Sequence, residues 1–164
     1  MNLTRIYLDT AFTVPATSRL RYLGGMAALN LPAPNGTGDW HMTQTFFRPK
    51  VKRSRSFISG VGCSTDTTPI LGDAGIYDCT AILDGLGIHH ESAIAYAANH
   101  ARAIADLVLA AVLRGESPDF VVLDDWMPRD TDKQQVFDLL LKALPHLTIE
   151  QQKRVQEWRQ VNTA

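Results

Sequence analysis

The sequence has little of what marks the more specialised protein classes. Two cysteines in 164 residues, Cys63 and Cys79, are too few for a disulfide framework and form no CxxC pair. That excludes a stapled small scaffold and a thioredoxin-like redox motif. The formal net charge is −1, so no global field draws the chain to nucleic acid or to a membrane surface. Any such binding has to come from a local patch. The opening MNLTRIYLDT lacks an apolar signal core, and a cytosolic protein is expected. Asn35-Gly36-Thr37 fits a glycosylation acceptor, but without a secretory signal the match carries little weight. The longest apolar stretch, residues 92–113, is rich in Ala and contains His100, Arg102 and Asp106. Each is costly at a bilayer centre, so the stretch reads as a core helix and no membrane span is expected. There is no internal repeat and no low-complexity segment.

What is present is ordinary globular composition, 45% hydrophobic and 20% charged, in a chain long enough for one domain with a proper core. Partial alternation predicts a strand over 5–14, stopped by Pro15. Residues 19–29 are ambiguous, because Leu20, Leu23 and Ala27 make a helical stripe that Gly24-Gly25 interrupts. Strands are predicted at 41–47 and 50–59, joined through Arg48-Pro49 as a hairpin, with Pro49 favouring a sheet edge. A Gly/Ser/Thr loop follows over 60–72.

Asp73 then reads as the N-cap of a helix carrying Ile76, Cys79, Ile82, Leu83 and Leu86. The strongest helical pattern runs over 91–114. Ile94, Ala98, Ala101, Ala105, Val108 and Val112 share a face, Arg102 and Asp106 form an i,i+4 pair on another, and Gly115 ends it. Residues 119–126 are a short apolar run, strand or helical extension. Thr131-x-x-Gln134 and Thr148-x-x-Gln151 are capping-box patterns. They open two amphipathic helices, one burying Val136, Leu139, Leu140 and Ala143, the other Ile149, Val155 and Trp158, with Pro145-His146 between them as in an antiparallel helical hairpin. Strands first and helices later predict α+β: an N-terminal antiparallel β-sheet packed against a C-terminal layer of about four helices, in a single domain that is β-rich over 1–60 and helical over 73–161.

The best-placed candidates for chemistry are Asp39 and His41 in Asn35-Gly36-Thr37-Gly38-Asp39-Trp40-His41. In extended backbone they point to one face, with Trp40 on the other, a spacing that suits an acid–base dyad or two metal ligands. The competing reading is a turn closed by Gly38-Asp39, with Trp40 anchoring a strand in the core, and it is favoured. Asp124-Asp125-Trp126 is a second acidic–aromatic cluster. Two carboxylates could hold Mg²⁺ beside a phosphate. Adjacent carboxylates diverge on a regular element, however, so a helix-end or loop rim with a Trp tucked beneath is the better reading.

The five histidines form no HxH, HExxH or zinc spacing, and neither a metal nor a cofactor is expected. His89-His90 reads as a polar loop, and His100 as a hydrogen-bonded, partly buried residue that with Tyr96 could line a pocket. Residues 59–64 hold a GxG without the Lys of a P-loop, and no GxSxG elbow occurs. Cys79 is expected to be a buried free thiol, and Cys63, in its loop, is the candidate reactive one. Gly72-Asp73-Ala74-Gly75 would offer free N–H groups to an anion, which the Asp73 carboxylate would oppose.

The clearest charge asymmetry is Arg48, Lys50, Lys52, Arg53 and Arg55, flanked by Phe46, Phe47 and Phe57. A basic, aromatic ribbon of this kind suits single-stranded nucleic acid. A solvated edge strand whose charges deter aggregation explains it equally well.

Three functions follow. The favoured one is a small soluble protein-binding module without catalysis, an accessory or neutralising protein of the antitoxin-like or mobile-element cassette kind. Its partner is another protein or a second copy of the chain. The alternative is a metal-assisted hydrolase or nucleotide-binding enzyme using Asp39 and His41 with Asp124 or Asp125. The third is nucleic-acid binding through residues 48–55.

Overall fold

A computed structural model describes residues 13–32, 57–127 and 129–163. In chain order the elements are β1 (Arg21–Leu23), α1 (Gly25–Leu29), β2 (Ile58–Gly60), α2 (Thr68–Leu71), β3 (Ile76–Asp78), α3 (Thr80–Leu86), β4 (Tyr96–Ala98), α4 (His100–Leu113), α5 (Leu123–Trp126), α6 (Asp130–Ala143), a 3₁₀ turn (Leu144–His146) and α7 (Ile149–Thr163). This is an α+β fold, with four helices in the C-terminal half. Among the described residues, four strands make one sheet in the order β2-β1-β4-β3. It is mixed: β1–β2 and β3–β4 are antiparallel, while β1 and β4 run parallel, with Leu23 opposite Ala97.

Alternation along the strands divides the interior into two cores. Tyr22, Ile76 and Ala98 point into a large cluster built around α4, α6 and α7. Leu23, Tyr77 and Ala97 point the other way, toward Val14, Phe57, Cys79 and Leu83. The central element is α4, which packs against α1, α6 and α7. Its small residues (Ala101, Ala103, Ala105, Ala110, Ala111) are all buried, so neighbouring backbones approach closely. Val136, Leu139, Leu140 and Ala143 of α6 close over it, with Val155 and Trp158 of α7 in the same core. The Phe137 and Trp158 rings meet edge to face, 6.2 Å between centroids.

Several sequence expectations change. The helix expected from Asp73 begins at Thr80, and residues 76–78 are β3. The side-chain bond at the helix start comes from Asp78, whose Oδ1 accepts from the Thr80 amide at 2.9 Å. The helix expected over 91–114 begins at His100, because Asn99 caps it: its Oδ1 accepts from the Arg102 amide at 2.8 Å. Residues 96–98 are β4, so two of the four strands lie in the half read as helical. Three-residue strands are too short to show period-two alternation, and their apolar residues continue the helical stripe. Of the two capping-box patterns, Thr148–Gln151 forms. The Thr148 amide donates to Gln151 Oε1 at 2.9 Å and the Gln151 amide donates to Thr148 Oγ1 at 3.2 Å. Thr131 caps nothing, since α6 starts one residue before it, with Arg129 in the cap position. Ile149, expected in the core, is 86% exposed.

Candidate functional site

Arg102 and Asp106, expected as an i,i+4 pair on a face apart from the apolar stripe, are fully buried, and they organise the polar centre of the fold. Arg102 Nε donates to Asp106 Oδ1 at 2.8 Å. Thr67, just before α2, donates to the same oxygen at 2.5 Å, and the Tyr22 hydroxyl donates to Oδ2 at 2.5 Å. Arg102 Nη2 reaches Thr67 Oγ1 at 3.0 Å and Tyr22 Oη at 3.2 Å, and Nη1 donates to the Ala74 carbonyl at 2.6 Å. Each hydroxyl thus donates to the carboxylate and accepts from the guanidinium. A charge pair inside a protein is tolerated only when its remaining donors and acceptors are matched in this way. Burial and the neighbouring Asp106 charge raise the Tyr22 hydroxyl above its ordinary pKa, so it remains a proton donor at all physiological pH.

The turn over 72–75 serves this network rather than an anion. The Asn99 amide donates to the Gly75 carbonyl at 2.7 Å, beside the Ala74–Arg102 bond. The Ala74 carbonyl therefore meets the cationic side chain, and the Gly75 carbonyl meets the backbone at the start of α4. Gly75 sits at φ +76°, and a Cβ there would fall 2.8 Å from Arg102 Cβ and 3.0 Å from Asn99 Oδ1. Only glycine lets the turn press onto α4.

Beside this network lies a cavity of about 370 Å³ between β2, the start of α1 and α4. Its walls include Met26, Ala27, Phe57 and Leu107, with Ser59, Ser64, Thr65 and an edge of Asp106 as the polar lining. A second, shallower cleft of about 470 Å³ runs between the 117–119 segment and α7, past Arg154, Glu157, Trp158 and Val161.

Of the residues singled out from sequence, Asp39, Trp40, His41, Arg48, Lys50, Lys52, Arg53 and Arg55 lie outside the described residues. Asp124 and Asp125 occupy the first turn of α5 and are exposed. Asp124 forms an ion pair with Lys133 of α6, and Trp126 packs partly buried against the main core. They make the helix-end rim with a Trp beneath it. Among the described residues, no group of three or more His, Cys, Asp or Glu is placed to hold a metal ion. No helix among them is long and apolar enough to cross a membrane.

His100 makes the hydrogen bond expected of it, Nε2 to the Leu31 carbonyl at 2.7 Å, but it is buried rather than partly buried. His90 bridges two acceptors, the Ser92 carbonyl through Nδ1 at 2.6 Å and Asp84 Oδ1 through Nε2 at 2.8 Å. These contacts raise its pKa, the Ser92 bond contributing most. Both thiols are free. Burial pushes the Cys79 thiol up to about 12, which leaves it protonated and unreactive at neutral pH. Cys63 is partly buried in its loop.

Sequence reasoning does not single out Tyr22, Ser59 or Thr67. Their partners lie 35 or more positions away, and no local spacing announces them. No family model, no curated protein and no solved structure matches the chain.

Proposed function

We propose that the protein is a non-catalytic protein-binding module, an accessory or neutralising partner, that docks through the surface formed by residues 117–122 and the C-terminal half of α7. The observation that carries this reading is a margin of exposed apolar side chains on a rigidly tied backbone. Phe120 is 55% exposed, Val122 42% and Val161 79%. The segment bearing the first two is fixed to α7 by the Trp158 indole N–H donating to the Val121 carbonyl and by the Leu123 amide donating to Asn162 Oδ1, each at 2.9 Å. Asn162 in turn donates to the Trp158 carbonyl at 2.8 Å. Apolar groups presented on a pre-formed surface lose little conformational freedom on binding, which favours association. The adjoining cleft carries Asp119, Arg154 and Glu157 at its rim. It suits a protein segment with one apolar anchor flanked by charges of both signs. The Arg102–Asp106 network fits the same reading, because its polar groups are matched to one another and serve the fold.

The test is co-purification from the native host followed by affinity measurement on surface variants. Phe120→Asp with Val161→Asp is expected to weaken partner binding by a factor of about 30 or more, the loss of roughly 2 kcal/mol typical of an interface anchor. Leu141→Asp, on an exposed site of α6, is the control and should leave affinity unchanged. A strictly monomeric protein that captures no partner, or a double variant that binds as tightly as the original, would overturn the proposal.

A further inference from the structure

The cavity between β2, α1 and α4 has the make-up of a small-molecule site, and we infer that it binds a small uncharged molecule with an apolar body and a hydroxyl or amide group at one end. Sheet geometry aims a polar side chain into it. Ser59 sits opposite Tyr22 in the β1–β2 register, so the two side chains leave the same face of the sheet, the face on which Tyr22 reaches Asp106 of α4. Ser59 is 5% exposed and lines the cavity, and its hydroxyl has no hydrogen-bond partner among the described residues. The oxygen is not among the buried unpaired atoms, so it is open to a partner, and a hydroxyl that can both donate and accept suits a polar group of a ligand. Ser64 and Thr65 add two more hydroxyls to the lining.

The backbone makes room for this arrangement. A Cβ built on Gly24 would fall 2.2 Å from Ser59 Oγ, so Gly24 is the residue that lets the Ser59 side chain lie where it does.

Charge and size narrow the ligand class. Among the described residues, the only ionisable side chain in the lining is Asp106, already matched by Arg102, Tyr22 and Thr67. A charged ligand would enter without a counter-charge and would lose its hydration, which is costly. A neutral one meets the hydroxyl-bearing residues Ser59, Ser64 and Thr65 together with Met26, Ala27, Phe57 and Leu107 in one lining. The volume, about 370 Å³, is at the small end of ligand pockets, which run from roughly 300 to 1,000 Å³.

Amide chemical shifts of the full chain, followed during titration with indole, phenol and benzamide, test this. Benzoate and benzamidine serve as charged rings of similar size. The neutral probes should shift the amides of Ala27, Ser59 and Leu107. Ser59→Ala should weaken their binding roughly fivefold, the loss of about one hydrogen bond. Ser64→Trp and Met26→Trp, both at exposed rim positions, should each abolish it. The inference is overturned if no neutral probe shifts those amides at up to about 10 mM. Charged rings binding as tightly as the neutral ones, or unchanged affinity in Ser59→Ala or in the folded Trp variants, overturn it equally.

Discussion

Arg102 and Asp106 stand one turn apart on α4 and meet at 2.8 Å with neither side chain open to solvent. Their other partners, Tyr22, Thr67 and the Ala74 carbonyl, come from three separate segments. The pair therefore ties the strand β1, the start of α2 and the turn before β3 to a single point on the central helix.

Removing one member of that pair leaves its partner buried and unmatched. Arg102→Leu or Asp106→Leu is expected to cost about 3–5 kcal/mol, enough to unfold many domains of this size. The double variant should be less destabilised than the sum of the two single changes, because no buried charge remains. Tyr22→Phe or Thr67→Val leaves the carboxylate short of one donor and should cost about 1–3 kcal/mol. Urea unfolding of the five variants measures this, and additive single and double effects would rule out the coupling.

His90 predicts a dependence on pH. Both ring nitrogens face acceptors, so the bridging form is the imidazolium, and its pKa in the fold lies above the ordinary 6.5. Its stabilising contribution is complete below the unfolded pKa and fades as pH rises through the raised folded value. The backbone on either side of His90 pairs with Val14, through the Val14 amide to the His89 carbonyl at 2.8 Å and the Glu91 amide to the Val14 carbonyl at 2.9 Å. Hydrogen-exchange protection of those two amides, corrected for intrinsic rates, should fall across that range. In His90→Gln the fall should vanish; parallel profiles in both proteins would show that His90 is not the titrating group.

The two capping boxes, alike in sequence, should respond differently to the same mutation. Thr148→Ala removes the Oγ1 that accepts from the Gln151 amide, one of the two formed cap bonds, and is expected to destabilise by about 1 kcal/mol. Thr131→Ala, on an exposed helical residue that caps nothing, should be neutral within roughly 0.5 kcal/mol. Equal losses in thermal melts would refute the distinction.

What could be read from the sequence follows the range of the interactions involved. The Thr148–Gln151 cap forms between residues three apart, and the buried stripe of α6 repeats every turn, so both are legible. The burial of Arg102 and Asp106 is not, because an i,i+4 ion pair looks the same on a wet face as on a dry one. What decides its burial is Tyr22, 80 residues from Arg102. β3 and β4 are hidden for a different reason. Each is three residues long and lies in an apolar run whose spacing also fits a helix, and tertiary pairing decides. Asn99 is the one local signal that α4 starts late. Of the candidate sites, the Asp124–Asp125–Trp126 cluster left helix end and loop both open in the sequence, and a four-residue helix carries it. The cavity at Ser59 depends on a strand register that no short window contains.

The place of β1 in the sheet also dictates an order of assembly during synthesis. Its two neighbours are β2, some 37 residues later in the pairing of Tyr22 with Ser59, and β4, where Leu23 meets Ala97. A chain leaving the ribosome can pair β1 on one side once residue 60 has emerged. The other side stays open until residue 97 has followed, and the helix carrying the polar partner of Tyr22 comes later still. Contacts this distant in sequence slow folding, because the loop must close before the contact stabilises anything. The nascent N-terminal segment thus presents an unpaired strand edge until β4 is made, and it is during that interval that the protein is most open to wrong pairing and to chaperones.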